Sequence, residues 1–591
     1  MSPANEYSER LKARAAQVVE HDRRHFLIGN IRLLIFFVGV AIAWLALARH
    51  IMSPAWLAIP LSIFALLVAY HSRILRARIL AERASNFYRI GLARIGDDWT
   101  GVGETGDRFA DGHHVYASDL DLFGRGGLFQ LLSTARTRMG EDTLARWLLS
   151  PAPTAEILAR QDAVADLRPR LDLRETLAVL GEDAGVGVHP PELLDWAESP
   201  NVLPKSYRAM GIVLAAGAIA TAIVWAMWDR ALPFLLVIAV EAILTYRLRH
   251  RLDSVLHQTE HTFESLDLLS AILARFERET FTAARMRQIA ATLASHQVPS
   301  SRAIARLRKI VDWSMSRENL FLRILDVPLM YSLQVAIAAE NWRRAHGNAV
   351  RGWLESVGEI EAVLSLAAYS YEHPSDPFPE FEEGPAIFEA EALAHPLLPA
   401  ITCVSNDVRL NRDTRVLLVS GSNMSGKSTL LRAVGMNAVL AMAGAPVRAA
   451  RLRLTNLQVG ASIRVNDSLQ EGSSRFYAEI KRLRQIWELA THKPDLIFLL
   501  DELLQGTNSK DRQIGAEGLL HALVQRGAIG LVTTHDLALA EIERSFGHQV
   551  CNVHFQDELH DGRISFDYQL RPGVVTKSNG LALMRSIGLD V

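Results

Sequence analysis

Cysteine is scarce: 591 residues contain only Cys403 and Cys551. That excludes a disulfide framework and a four-cysteine zinc site. Excess charge of either sign is also absent. Lys+Arg is 63 against Asp+Glu 65, a net of −2, so a wholly basic nucleic-acid binder is excluded while a local basic face stays open. No internal repeat or low-complexity tract is visible. With 49% hydrophobic and 22% charged residues, the chain has material for several buried cores, and long-range disorder is not expected. The length allows about four domains. What remains is a folded intracellular protein, with contact to a membrane left open.

Long apolar runs raise that question. Leu33–Ala48 and Ile51–Tyr70 carry no charge and are separated by Arg49 and His50. Ala209–Trp228 and Ala231–Tyr246 form a second pair around Asp229-Arg230, with Glu241 inside the last run. A helix of about 20 residues rises about 30 Å, the thickness of a bilayer's hydrocarbon core. Arg23, Arg24 and Arg32 precede the first pair, and Arg73, Arg76 and Arg78 follow it. Lys205 and Arg208 precede the second, and Arg247, Arg249 and Arg251 follow. Basic flanks on every inner end predict two transmembrane hairpins with both ends cytoplasmic. The expected location is the inner (cytoplasmic) membrane, multi-pass, with a lipid bilayer as partner. Two buried helical hairpins in a soluble core would read the same way, because periodicity alone does not separate the two. Glu241, near the Arg247 end, fits snorkelling or helix pairing, and Gly211, Ala215, Ala216, Gly217 and Ala218 suit close helix packing.

The boundaries follow: 1–80 for an N-terminal segment with the first hairpin (about 33–48 and 51–70), 81–205 for a helical region, and 206–250 for the second hairpin (about 209–228 and 231–246). Residues 251–372 have long helical periodicity, the proline-bearing 373–385 reads as a linker, and 386–591 alternates short apolar runs with helices, the α/β signature. Within that last part, the apolar run Arg415–Ser420 leads into Gly421-Ser422-Asn423-Met424-Ser425-Gly426-Lys427-Ser428-Thr429, with a helix expected from Leu430. This is G-x-x-x-x-G-K-[ST] in a strand–loop–helix context. Its backbone N–H groups and helix N-terminus suit the phosphates of ATP. Lys427 would supply a cation and Ser428 a hydroxyl for Mg²⁺. Leu496–Leu500 ends in Asp501-Glu502, a Walker B arrangement in which Asp501 would hold Mg²⁺ and Glu502 would activate water. Ala528–Thr533 leads to Thr534-His535-Asp536, where His535 would sense the γ-phosphate.

These motifs together resemble the MutS family of DNA mismatch-repair ATPases. GSNMSGKST at 421–429, DELLQGTNSKDR at 501–512 and TTHD at 533–536 are similar to its P-loop, its Walker B with following loop and its histidine motif. His395-Pro396 and Asn406-Asp407 resemble its approach to the P-loop. Val459–Ser462 onward to Phe476 resembles a loop that reaches across the dimer, which implies that Ser474 touches the neighbouring subunit's nucleotide. Val550–Glu558 and Arg563–Leu570 form a closing hairpin around Asp561-Gly562. More weakly, Leu122–Pro153 resembles the start of the family's helical core and 247–372 its lever helices. The second apolar hairpin stands about where the family inserts a DNA clamp. The Phe-x-Glu wedge expected early in the chain is missing, since Phe378-Pro379-Glu380 lies in the linker, and the position expected to stack on adenine is Cys403.

The implied fold is α plus α/β: a helical lever and core region with two transmembrane hairpins, then a P-loop (ABC-like) ATPase domain. The implied function is an ATP- and Mg²⁺-dependent, DNA-binding ATPase, homodimeric and membrane-tethered, in repair or recombination. Arg302, Arg306, Arg308 and Lys309 are the nearest candidates for a DNA face. The alternatives are a nucleotide-driven remodelling or transport ATPase that does not bind DNA, although no LSGGQ-type signature precedes Asp501, and a soluble relative with buried hairpins.

Overall fold

The apolar runs of the N-terminal part are the far halves of helices much longer than the runs themselves. In the computed structural model, which describes residues 2–181, 190–204, 206–260, 266–294, 298–317, 319–422, 424–464, 475–492, 495–535, 537–560 and 563–575, the first helix is Pro3–Ala43. Ser2 caps it by accepting from Asn5 N, and Pro3 opens the first turn. At 1.5 Å per residue its 41 residues reach about 60 Å. A π-helical turn, Trp44–Ala48, ends it. After a 3₁₀ turn at Pro54–Leu57, the helix Ala58–Ile95 returns alongside. This hairpin and the helix Leu171–Gly181 belong to one compact unit, Met1–Val102 with Arg170–Glu182. The base is packed like a soluble protein. Tyr7 and Tyr88 are buried edge to face, the Tyr88 hydroxyl donates to Glu175, and Arg14 pairs with Glu175 at 2.6 Å. The tip is the opposite: Leu34, Phe37, Leu47, Ile51, Leu61 and Leu66 are all exposed.

The second unit, Gly103–Pro169 with Asp183–Val591, holds the remaining elements. Its spine is the helix Tyr331–Glu372, buried along most of its length. Arg138–Leu149, Thr154–Leu167, Pro190–Glu198 and Ser300–Ser316 pack against it. The spine turns by 76° from Leu320–Leu329 at Met330, whose φ is 49°. Glu361 on the spine accepts from the N–H groups of Arg136 and Thr137, which fixes the start of Arg138–Leu149. The second apolar pair is the helices Ser206–Trp228 and Leu232–Glu260. They pack on each other and on the spine. A Cβ on Gly211 would lie 3.1 Å from Leu333 of the spine, whereas Gly217 faces open space. Of the small residues expected to pack closely, Gly211 and Ala218 are buried.

Among the described residues, three helical stretches are long and apolar enough to cross a membrane: Pro3–Ala48, Pro54–Ile95 and Ser206–Trp228. Their apolar windows are only 6%, 11% and 11% buried. Leu232–Glu260, which contains the fourth expected span, is not among them. Glu241 interrupts its apolar stretch and arginines follow Tyr246. The snorkelling reading of Glu241 is corrected: its side chain is fully buried, and neither carboxylate oxygen has a partner among the described residues. Buried as it is, the carboxylate does not reach an interface to be hydrated. The bent pair Leu322–Leu329 and Tyr331–Glu372 also has the required length and hydropathy. The burial of the second helix makes it core.

Among the described residues, ten strands follow the spine. β1 (Glu380–Phe381), β5 (Arg451–Leu454), β2 (Phe388–Leu393) and β3 (Asn406–Leu410) form one sheet in that order. β1 lies inside the segment read as a linker. The other sheet runs β10 (Arg563–Pro572), β9 (Val550–His560), β4 (Val416–Ser420), β8 (Ile529–Thr534), β7 (Leu496–Leu500) and β6 (Gln458–Ser462). It is parallel from β9 to β6, with β10 antiparallel on the edge. β4, β7 and β8 are buried at every position, as parallel strands covered on both faces must be. Parallel strands β4, β8 and β7 bring their carboxyl ends to one edge, where ligands of open α/β sheets sit.

Candidate nucleotide site

At that edge, β4 ends at Ser420 and the chain curls through Gly421–Gly426 into the helix Lys427–Ala443. The helix starts three residues before the expected Leu430. Gly426, at φ 103°, is its N-cap, so Lys427 and Ser428 already lie in the first turn. Glycine suits this position for two reasons, the positive φ and the lack of space, since a Cβ there would sit 3.1 Å from the Tyr568 ring. The free N–H groups of this first turn make it an anion-binding end. Gly421, Ser422, Met424, Ser425 and Thr429 surround it as expected, and Asn423 lies outside the described residues. The Ser422 and Ser425 hydroxyls are buried with no partner among the described residues. The Lys427 ammonium donates to the carbonyls of Gly421 (2.9 Å) and Ser422 (2.8 Å). Burial lowers its pKa, opposed by the nearby charges of Glu502 and Asp501.

Three strands converge on Asp501. The Ser428 hydroxyl donates to Asp501 Oδ2 at 2.6 Å, and the Thr533 hydroxyl on β8 donates to Oδ1. Thr533 Oγ1 in turn accepts from Glu502 N at 2.9 Å. Glu502 and Leu504 sit at φ 50° and 56°, a left-handed geometry strained for such side chains. Glu502 accepts from Gln505 Nε2, which also lies 3.2 Å from His535 Nδ1. His535 Nδ1 is 3.7 Å from Glu502 Oε1. Ser428, Asp501, Glu502 and His535 are thus brought together. Thr533 and Gln505 were not singled out from the sequence, although both lie inside the quoted motifs. The loop after Glu502 is fixed from two sides: Leu504 N donates to Glu479 at 2.6 Å, and Arg512 donates to the carbonyls of Leu504 and Gln505. Glu479 lies on the helix Arg475–His492, immediately after Ser474, which lies outside the described residues.

An open cavity of about 700 Å³ adjoins the P-loop, within the range of small-molecule sites. His395, Leu398, Cys403 and Val404 line one side, the P-loop another and Tyr568 a third. Burial drives His395 down to about 4. The expected adenine position, Cys403, lines this cavity, as do Phe555 of β9 and Tyr568 of β10. Tyr568, at φ 54°, sits where the β9–β10 register shifts. Asn406 on β3 fixes it there, donating to Tyr568 O at 3.0 Å and accepting from Leu570 N at 2.6 Å.

The segment before the helix Leu128–Leu132 also reaches the site. Ala461 N donates to Val115 O, and Asp119 Oδ1 accepts from Ile463 N and Arg464 N, each at 2.7 Å. Arg432 on the P-loop helix donates to Asp119 O at 3.1 Å. Asp119 therefore ties the P-loop helix to the chain leading toward 465–474.

Comparison with known proteins agrees with this geometry. Residues 417–590 match the family described as MutS domain V. That part of the chain is therefore similar to a domain of the MutS family. Endonuclease MutS2 of Thermus thermophilus is 33% identical over 249 residues, 42% of this chain and 32% of that protein. DNA mismatch repair protein MutS of Geobacillus thermodenitrificans is 30% identical over 272 residues, 45% of this chain and 29% of its own. DNA mismatch repair protein msh3 of Aspergillus fumigatus is 32% identical over 251 residues, 40% and 22% respectively. The chain thus covers under a third of the length of these MutS relatives.

Proposed function

We propose that this chain is a membrane-tethered, DNA-binding ATPase of the MutS family that works as a homodimer in DNA repair or recombination. The observation that carries the ATPase reading is the convergence of Lys427, Ser428, Asp501, Thr533 and Glu502 at the ends of three parallel strands. The hydroxyls of Ser422 and Ser425, buried and without a partner among the described residues, fit a loop built to wrap phosphate oxygens. The P-loop N–H groups and Lys427 would bind the phosphates of ATP. Ser428 and Asp501 would hold Mg²⁺, which neutralises charge on the outer phosphates when bound. Glu502 would accept the proton of the attacking water, with Gln505 orienting its carboxylate and His535 facing the γ-phosphate. Tyr568 offers a stacking face for the base.

The DNA reading draws support from the names of the relatives, which are DNA mismatch repair proteins and an endonuclease. Arg302, Arg306 and Lys309 are exposed on the helix Ser300–Ser316, while Arg308 pairs with Asp267 and Asp312. The membrane reading, at the cytoplasmic membrane with levers and ATPase inside, draws support from the exposed apolar helices. Dimerisation through Ser474 follows from the family resemblance.

The test is made on the purified full chain. Lys427→Ala should lose most nucleotide affinity, whereas Glu502→Gln should keep binding and slow turnover about 10²- to 10⁴-fold. Equal loss of binding in both would overturn the assignment of roles. DNA affinity should fall steeply with salt, and less steeply once Arg302, Arg306 and Lys309 are changed to Gln. If no DNA binds with or without nucleotide, a nucleotide-driven membrane machine becomes the better reading.

A further inference from the structure

Helices of the second unit line another cavity, of about 390 Å³, to which none of the nucleotide-site residues contributes. Its walls come from Arg138–Leu149, Thr154–Leu167, Ala284–Ala294 and the spine. Arg160 is 4% exposed, and its guanidinium lies 4.0 Å over the Trp147 ring. Its Nη2 pairs with Glu156 at 2.5 Å, but its Nε and Nη1 are buried with no partner among the described residues. Arg146 lies at the exposed rim. Its Nη2 donates to Thr143 Oγ1, and it has no ion pair among the described residues. The third cation, Arg285, is already taken by a two-armed pair with Glu359, at 2.5 and 2.7 Å. Glu355 is the remaining acid on the wall, and it is exposed. Two guanidinium groups therefore line one cavity whose other charges are mostly paired, that of Arg146 open at the rim and that of Arg160 with its Nε and Nη1 covered.

We propose that this cavity binds a small oxyanion, a phosphate- or carboxylate-bearing molecule, through Arg160 and Arg146. A guanidinium presents paired donors that match both groups. With three arginines and three glutamates on the wall, the site suits one or two negative charges rather than a polyphosphate. Trp147 and Pro151 give an apolar surface for the rest of the molecule. The site also adjoins the far end of the P-loop helix, because a Cβ on Gly444 would lie 2.7 Å from Arg160 Cβ.

Calorimetric titration of the full chain with inorganic phosphate and with succinate tests this, in a Lys427→Ala background so that the P-loop contributes little. One saturable site is expected. Arg146→Gln, on the exposed rim, and Arg160→Lys should each weaken it about tenfold or more, since each removes charge-assisted hydrogen bonds. The unfolding midpoint of Arg146→Gln should match its parent. Binding of phosphate alone supports a phosphate ester as the natural ligand, and binding of succinate alone supports a carboxylate. Absence of saturable heat with both anions, or affinity unchanged in both arginine variants, would overturn the proposal and leave a cavity filled by water.

Discussion

The Ser428 hydroxyl meets Asp501 Oδ2 at 2.6 Å, although the two residues follow strands that are not neighbours. β8 runs between them, and its Thr533 completes the link by donating to the other Asp501 oxygen while accepting from Glu502 N. Thr533 is fully buried. Thr533→Val keeps the shape but leaves a buried N–H at Glu502 without its acceptor. The expected cost is about 1–3 kcal/mol of stability, read from thermal unfolding. Turnover should also require more Mg²⁺, because Asp501 loses the group that orients it. Unchanged stability and Mg²⁺ dependence would show that Thr533 only fills space.

Tyr568 gives the second prediction. If its ring carries the base, Tyr568→Ala should weaken nucleotide binding by about 1–3 kcal/mol, the usual worth of base–aromatic stacking. Tyr568→Phe should bind normally. A loss in Tyr568→Phe equal to that in Tyr568→Ala would point to the hydroxyl instead. Asn406→Ala, which frees the β10 bulge, should reproduce part of the loss in an equilibrium binding assay.

The sites of these two predictions differ in how far the sequence discloses them. Gly421–Thr429, Asp501-Glu502 and His535 each lie in or directly after an apolar run, so strand and loop can be read from neighbouring residues. Tyr568 is remote from the P-loop in sequence and reaches it only through the pairing of β10 with β9 and the hold of Asn406. Asp119 stands in a stretch without periodicity, and its role depends on backbone N–H groups at 463 and 464. Glu241 shows the same limit in the helical part. Its charge is visible, but which helix face turns inward is set by packing against helices distant in sequence. Local pattern fixes elements, while pairing between distant segments decides which side chains meet.

His395 makes the acid limb of stability a third test. Burial lowers its pKa from 6.5 to about 4 in the folded protein. Between those values the unfolded chain binds the proton and the native chain does not, so stability falls as the pH falls from about 6.5 toward 4. The full difference is on the order of 3 kcal/mol. Denaturant unfolding across that range should show this loss in the wild type and a shallower one in His395→Gln. Equal slopes would mean that His395 is solvated in the folded state.

The last prediction concerns the apolar helices. Leu66 is 71% exposed on the return helix of the first hairpin, and the Ser206–Trp228 window is only 11% buried. A soluble monomer rarely leaves such continuous apolar surface uncovered. A bilayer would cover it, with the polar base of the first hairpin remaining in water. Leu66→Arg or Val224→Arg would place a guanidinium in hydrocarbon at a cost of about 2.5 kcal/mol or more on insertion scales. Membrane association should fall in each variant, and fall most in the double variant. Glu241→Gln should not have this effect, because the carboxylate is buried against protein rather than turned toward lipid. Single cysteines in a background lacking Cys403 and Cys551 give the topology: positions 50 and 229 should label from outside, and positions 80 and 255 only after permeabilisation. Labelling of 255 from outside, or a full chain that stays in solution without detergent, would refute the spanning arrangement. A carbonate wash that released the wild type would do the same, since peripheral contacts yield to it and spanning helices do not.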